Sequence, residues 1–172
     1  MLRNSVRVLV AIVLAAAAVL APAGAAAGWS ATETSGTWSD CNYDPNFRAV
    51  GPNQIGTVRI AESLTGGFAG TFNGTELDLV FPNNTALFAG NGVFSGTVAG
   101  HSGSAAYRYW GYVGLDGVGH ARWVVAHGSG GLARISGGGT FEGTYDASVS
   151  CTDGAFAGSY SGTYTGHVRF GS

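Results

Sequence analysis

Five residues in the middle of the chain have the types and spacing to bind a small molecule. They lie on two alternating runs of apolar and polar residues around a central Asp-Gly, and they are Arg108, Trp110, Tyr112, Trp123 and His127. Aromatic rings beside a cationic group suit small amphipathic or anionic ligands in a pocket. The alternative is that this face is an ordinary packed core with its polar tips at the rim.

The turn between the two runs decides whether these residues meet. Asp-Gly is a favoured two-residue hairpin turn. If Asp116 and Gly117 alone form the turn, Trp110 pairs with Trp123 and all five candidates share one face. A slip of one residue would exchange the two faces. The opposite face carries a reserve set of candidates, Tyr107, Tyr109, His120 and Arg122.

Two carboxylates on another predicted strand are a weaker candidate. Glu76 and Asp78 are two residues apart, so they share one strand face. They could form an acid pair, but a solvated strand face is the favoured interpretation. The histidines at 101, 120, 127 and 167 do not have the spacing of a metal site, so no metal or cofactor is predicted.

Two glycine-rich stretches resemble catalytic motifs but lack required residues. Gly100-His101-Ser102-Gly103-Ser104 has a Ser where a nucleophile elbow needs a second Gly, and no strand–turn–helix context. The stretch at 128–131 lacks the Lys and the following helix of a phosphate-binding loop. No catalytic residue is assigned, and whether the protein is an enzyme stays open.

Composition indicates one β-rich domain. The chain has 172 residues, of which 30 are Gly and 10% are charged, against about 25% in average proteins. After residue 28 no stretch shows helical periodicity. The net charge of −2 gives no basic footprint for a nucleic-acid partner.

The start of the chain predicts export. A basic segment with Arg3 and Arg7 precedes an apolar run at 8–20 that is too short to span a bilayer, and small residues follow. We expect a signal peptide over 1–27, with cleavage after Ala23 or Ala25 as alternatives, and a single domain over 28–172. The mature protein would be secreted, with no membrane span.

The two cysteines predict one disulfide. Cys41 and Cys151 are the only ones in the chain, and an exported protein usually pairs its cysteines. The alternative is two free buried thiols. A bridge would make the first and last parts of the domain neighbours, which a closed barrel allows.

The alternating segments predict many short strands. They are 34–41, 47–50, 56–65, 67–73, 75–81, 85–90, 92–99, 104–115, 118–127, 132–136, 139–147 and 155–170. Some of these segments must merge or act as loops. A motif recurs within them: an aromatic residue, any residue, Gly, a hydroxyl residue and a large apolar residue. Its five copies begin at Phe68, Phe94, Phe141, Phe156 and Tyr160. The glycine would leave room for a neighbouring aromatic ring or let the strand bend.

Three segments carry a resemblance to a known family. They are Gly96-Thr97-Val98-Ala99-Gly100-His101-Ser102-Gly103-Ser104, Gly128-Ser129-Gly130-Gly131-Leu132 and Gly137-Gly138-Gly139-Thr140-Phe141. They resemble an uncharacterised bacterial family of small barrels, grouped with the allene oxide cyclase-like and dirigent-like fold, whose members run G-T-L-x-G-R-S-G-S, V-V-P-G-S-G-T-G-x-L and G-x-G-x-F. This chain departs from the second pattern at Ala126 and His127.

The resemblance implies a fold but no activity. It implies an all-β, antiparallel closed β-barrel of about eight strands, allene oxide cyclase-like or calycin-like; the alternative is a β-sandwich. The predicted function is binding of a small apolar or amphipathic molecule in the lumen. One alternative is a cyclase-like enzyme in which Arg108 or Tyr112 polarises the substrate, and another is an extracellular structural or interaction domain. Neither the ligand nor the oligomeric state is predicted.

Overall fold

The computed structural model describes residues 31–151 and 159–171, and they form an all-β structure. The eight strands are β1 (Thr32–Val50), β2 (Asn53–Leu64), β3 (Phe68–Val80), β4 (Ala86–Val98), β5 (His101–Val113), β6 (Gly119–Gly130), β7 (Ile135–Tyr145) and β8 (Tyr160–Phe170). Each strand pairs antiparallel with the next, and β8 pairs with β1, so the strands form a ring. The predicted signal peptide, 1–27, lies outside the described residues.

The inside of the ring is built from the recurring motif. In the copies that begin at Phe68, Phe94 and Tyr160, the aromatic residue, the Gly and the large apolar residue point inward, and the hydroxyl residue points outward. The copy that begins at Phe156 starts outside the described residues. In the copy that begins at Phe141, a Cβ on Gly143 would overlap the indole ring of Trp38. The glycine therefore leaves room for an aromatic ring, as the sequence predicted.

The predicted segments merge where a glycine lies under an aromatic ring. Segments 67–73 and 75–81 form β3 without a break, as 85–90 and 92–99 form β4. A Cβ on Gly74 would overlap the ring of Phe72, which also lies close to Gly92. These glycines continue their strands because an inward ring covers them, so the predicted segments merge here.

One end of the interior is a packed aromatic cluster around Phe68. Its ring makes edge contacts with those of Phe94, Trp123 and Tyr164, with centroids 5.2, 5.3 and 5.7 Å away. The Tyr164 hydroxyl accepts a hydrogen bond from the Phe68 N–H at 2.7 Å and donates one to the Thr65 carbonyl at 2.8 Å. This cluster fills one half of the ring.

The hairpin between β5 and β6 differs from the prediction by one residue. Asp116-Gly117 lies in the turn, but the turn spans 114–118, so Tyr109 pairs with Trp123 and Trp110 pairs with Arg122. The Asp116 carboxylate accepts a hydrogen bond from the Val118 N–H at 3.1 Å, which stabilises the longer turn. The prediction of a two-residue turn is therefore wrong.

The predicted disulfide is present. Cys41 on β1 bonds to Cys151 in the connection after β7, with 5.8 Å between the two Cα atoms. Since β1 also pairs with β8, the first and last strands are neighbours, as the bridge implied.

The aromatic cluster should carry much of the stability. Phe94 is fully buried, whereas its neighbour Val93 is 50% exposed on the outer face. We expect Phe94→Ala to lower the free energy of unfolding by about 3–5 kcal/mol and Val93→Ala by less than about 1 kcal/mol. Urea denaturation of both variants measures this. Equal losses in the two would contradict the assigned faces.

Candidate functional site

The structure separates the five residues predicted to share a face. Trp110 and Tyr112 lie on the outer surface and are 46% and 51% exposed. Arg108 is also exposed on this surface. Trp123 is 1% exposed inside the ring. The prediction that the five residues share a face is therefore wrong. The register differs from the predicted one by one residue, which inverts the faces of β5 relative to those of β6.

His127 lies at a β-bulge. Ser104 pairs with Ser129 but Ala106 pairs with Ala126, so β6 has one extra residue here. His127 takes a φ of 53° and its side chain is exposed. The bulge moves it away from Trp123, and the binding role of the five residues stays a prediction.

The reserve set is divided in the same way. Tyr107 and Tyr109 point inward and are 3% and 4% exposed. Arg122 points outward, and the outer-face His120 lies 3.5 Å from a carboxylate oxygen of Glu142. Only the two tyrosines contribute to the interior.

A cavity of about 300 Å³ occupies the other half of the ring. All eight strands contribute to its wall. The lining residues are Trp38, Asp40, Asn42, Phe47, Val58, Glu62, Glu76, Asp78, Val80, Ala86, Phe88, Tyr109, Val113, Gly119, Phe141, Gly143, Tyr145 and Tyr160.

Four carboxyl groups form one side of this cavity, which we call the acidic wall. They are Asp40 on β1, Glu62 on β2, and Glu76 and Asp78 on β3. Burial raises the pKa of Asp40 to about 7, that of Glu62 to about 8 and that of Asp78 to about 6. The pKa of Glu76 is raised well above its usual value by burial and by the neighbouring Asp78. A carboxyl group away from bulk water favours its neutral form, which explains the direction of all four shifts.

Glu76 and Tyr109 meet across a glycine. The register places Gly90 on β4 between Glu76 on β3 and Tyr109 on β5. A Cβ on Gly90 would overlap the Tyr109 ring, so the ring lies across Gly90 and its hydroxyl reaches the Glu76 carboxyl group. The missing side chain of Gly90 thus positions the tyrosine against the acidic wall.

Asp40 is held by the backbone of the last strand. Its Oδ1 accepts a hydrogen bond from the Tyr160 N–H at 2.6 Å. This bond favours the ionised carboxylate, but burial has the larger effect and the pKa remains raised.

Aromatic side chains form a second side of the cavity, which we call the aromatic wall. It comprises Trp38, Phe88, Tyr109 and Phe141. The Phe141 ring contacts Trp38 and Tyr109 with centroids 5.2 and 5.6 Å away, and Phe88 lies 6.2 Å from Tyr109. These mutual contacts hold the rings in place around an open space.

The structure corrects the favoured interpretation of Glu76 and Asp78. They line the cavity and are not on a solvated face. The sequence signal was their position in β3, since Phe68 and Phe72 occupy the same alternating face and are fully buried. Glu62 was also missed, although it alternates with the buried Ile60.

No metal centre or membrane helix appears in the described part of the chain. Residues 31–151 and 159–171 hold no group of three His, Cys, Asp or Glu residues that could bind a metal ion. Within the same ranges, no helix has the length and hydropathy needed to cross a bilayer.

The acidic wall should make folding less favourable at higher pH. The Glu62 pKa is about 8 in the folded protein against 4.5 as the ordinary value, so the folded state binds more protons between these limits. Stability should therefore fall as the pH rises through this window, and we expect Glu62→Gln to be more stable than the parent at the upper limit by about 1–3 kcal/mol. Urea denaturation across the window measures this, with the exposed Glu142→Gln as control. A parent whose stability rises with pH would contradict the account.

Comparison with known proteins yields a shared fold. No protein-family model and no curated protein matches the chain. A protein of unknown function from the DUF3224 family from Shewanella oneidensis MR-1 is similar in structure, with a TM-score of 0.63 and 17% identity over 83% of this chain and 99% of that one. A protein with unknown function from Clostridium acetobutylicum ATCC 824 has a TM-score of 0.48 and 8% identity, over 84% and 98% of the two chains.

The similarity to the DUF3224 protein is one of fold alone at this level of identity. The resemblance to an uncharacterised bacterial family of small barrels and the allene oxide cyclase-like grouping stay predictions. The chain therefore shares an all-β fold with a member of the DUF3224 family.

Proposed function

We propose that the ring is a closed β-barrel that binds a small amphipathic molecule at one end of its lumen, without turnover. The observation that carries this proposal is the cavity of about 300 Å³, which joins an aromatic wall to an acidic wall. Ligand sites are typically apolar concavities with a few converging polar groups, and this volume is at the small end of their range.

The ligand occupies only the half of the barrel that the Phe68 cluster leaves open. An eight-stranded barrel has an interior that side chains can fill or that can hold one small ligand. At one end, the fully buried rings of Phe68, Phe72 and Phe94 fill the interior. At the other end, the rings of the aromatic wall lie against the strands and leave the centre open for one small ligand.

A single bulky residue should test the site. Ala86 lines the cavity, whereas Ala89 on the same strand is exposed on the outer face. We expect Ala86→Trp to weaken binding of the neutral naphthalene dye Prodan by about tenfold or more, because the indole fills the space that the dye needs. Ala89→Trp makes the same change outside and should leave dye affinity unaltered.

Dye fluorescence titration measures both affinities, and native mass spectrometry gives the stoichiometry, expected to be one dye per chain. A parent protein that binds no dye would refute the proposal. Equal weakening by the two tryptophan variants would place the dye elsewhere.

We further propose that the protein works outside the cytoplasm. The disulfide supports this, because such bonds persist in oxidising compartments. The predicted signal peptide agrees with it.

A cyclase-like enzyme is the second candidate. The observation that favours it is the contact of Glu76 with both Asp78 and Tyr109, because carboxyl groups with raised pKa values in a cavity can exchange protons with a substrate. Arg108 and Tyr112 point away from the lumen, so they do not carry this hypothesis.

For a discovered activity, we expect Glu76→Gln to lower kcat by roughly 10²–10⁴-fold while ligand affinity is retained. Glu142→Gln, on the outer face, should leave kcat unchanged. Steady-state kinetics with a separate binding measurement distinguishes the two effects. An activity that persists in Glu76→Gln would exclude this mechanism.

A further inference from the structure

We propose that the ligand of the cavity is a small organic cation, an amine or quaternary ammonium with an apolar body. This inference rests on the proposed binding function and adds the chemical class of the ligand. Three features of the cavity carry it: the charge of its wall, the burial of that charge, and the aromatic rings beside it.

The cavity wall carries only acidic and neutral side chains. None of its lining residues is Lys, Arg or His. Its titratable groups are Asp40 from β1, Glu62 from β2, Glu76 and Asp78 from β3, Tyr109 from β5, Tyr145 from β7 and Tyr160 from β8, and none comes from β4 or β6. An anionic ligand would therefore meet carboxyl groups without a basic partner.

Burial makes the acidic wall responsive to a cation. With no opposite charge beside them, the carboxyl groups favour their neutral forms because they are removed from bulk water. A cation in the cavity would supply the missing opposite charge and favour the ionised forms. A neutral molecule would bury the same apolar surface but leave these carboxyl groups without a charged partner.

The aromatic wall complements this arrangement. A cation is attracted to the face of an aromatic ring within about 6 Å of its centroid, and more strongly where water is excluded. Tyr109 belongs to the aromatic wall and also contacts Glu76 of the acidic wall. A quaternary ammonium with an apolar body could therefore contact carboxylates and rings at the same time.

A matched series of probes tests the charge preference. Benzyltrimethylammonium is a permanent cation, 2,2-dimethylpropylbenzene is its neutral isostere and 3-phenylpropionate is an anion of similar size. We expect the cation to displace Prodan with about tenfold higher affinity than the isostere near pH 8, and the anion to bind weakest. Because the probe itself does not titrate, its affinity should fall as the pH is lowered from about 8 toward 5, since the carboxyl groups of Asp40, Glu62 and Asp78 take up protons over this range.

Variants assign the preference to the acidic wall. Glu62→Gln combined with Glu76→Gln should reduce the advantage of the cation over its isostere to less than about threefold, because two carboxylates become neutral. Glu142→Gln should keep the full advantage, since Glu142 is exposed on the outer face. A stable fold in each variant is checked by its urea midpoint.

The outcomes separate this inference from the proposed function. If the isostere or the anion binds as tightly as the cation at high pH, the ligand class is refuted although the cavity still binds small molecules. If neither Prodan nor any probe binds, both proposals fail. An advantage of the cation that survives the double variant would refute the assigned role of the acidic wall.

Discussion

The packing of inward aromatic rings over glycines of other strands is the constraint on which the rest of the structure depends. Trp38 lies over Gly143 and Tyr109 lies over Gly90. Because these rings lie along the wall, the centre of the ring stays open at one end, whereas the cluster around Phe68 closes the other end. The same packing orients Tyr109 toward Glu76, so one device shapes the cavity and positions a polar group in it.

The carboxyl groups of the acidic wall lower the stability of the folded protein at neutral pH. Glu62 and Glu76 occupy positions where an apolar residue would continue the core, as Ile60 does two residues before Glu62 and Phe72 does four residues before Glu76. A buried carboxyl group without an opposite charge lowers stability at neutral pH. Natural proteins tolerate such costs where function requires them, since they need only remain above a stability threshold. A ligand that neutralises the wall would offset the cost.

The sequence predicted the class of fold better than the site, for physical reasons. Strand alternation and the recurring glycine motif are local, and the two cysteines pair because they are the only ones. The prediction of which hairpin residues share a face was wrong, because the Asp116 side chain stabilises a longer turn. The longer turn shifts the register by one residue and places Trp110 on the outer surface. The cavity arises from residues on all eight strands, so only the three-dimensional arrangement of the strands shows that Asp40 and Glu62 converge.

The most direct test of the central claim is the titration of the Glu62 carboxyl carbon, followed by NMR with and without a quaternary ammonium ion. The account predicts a midpoint at a pH of about 8 in the empty protein and a lower midpoint when the cation is bound. A midpoint near the ordinary value of 4.5 that does not respond to the cation would contradict it.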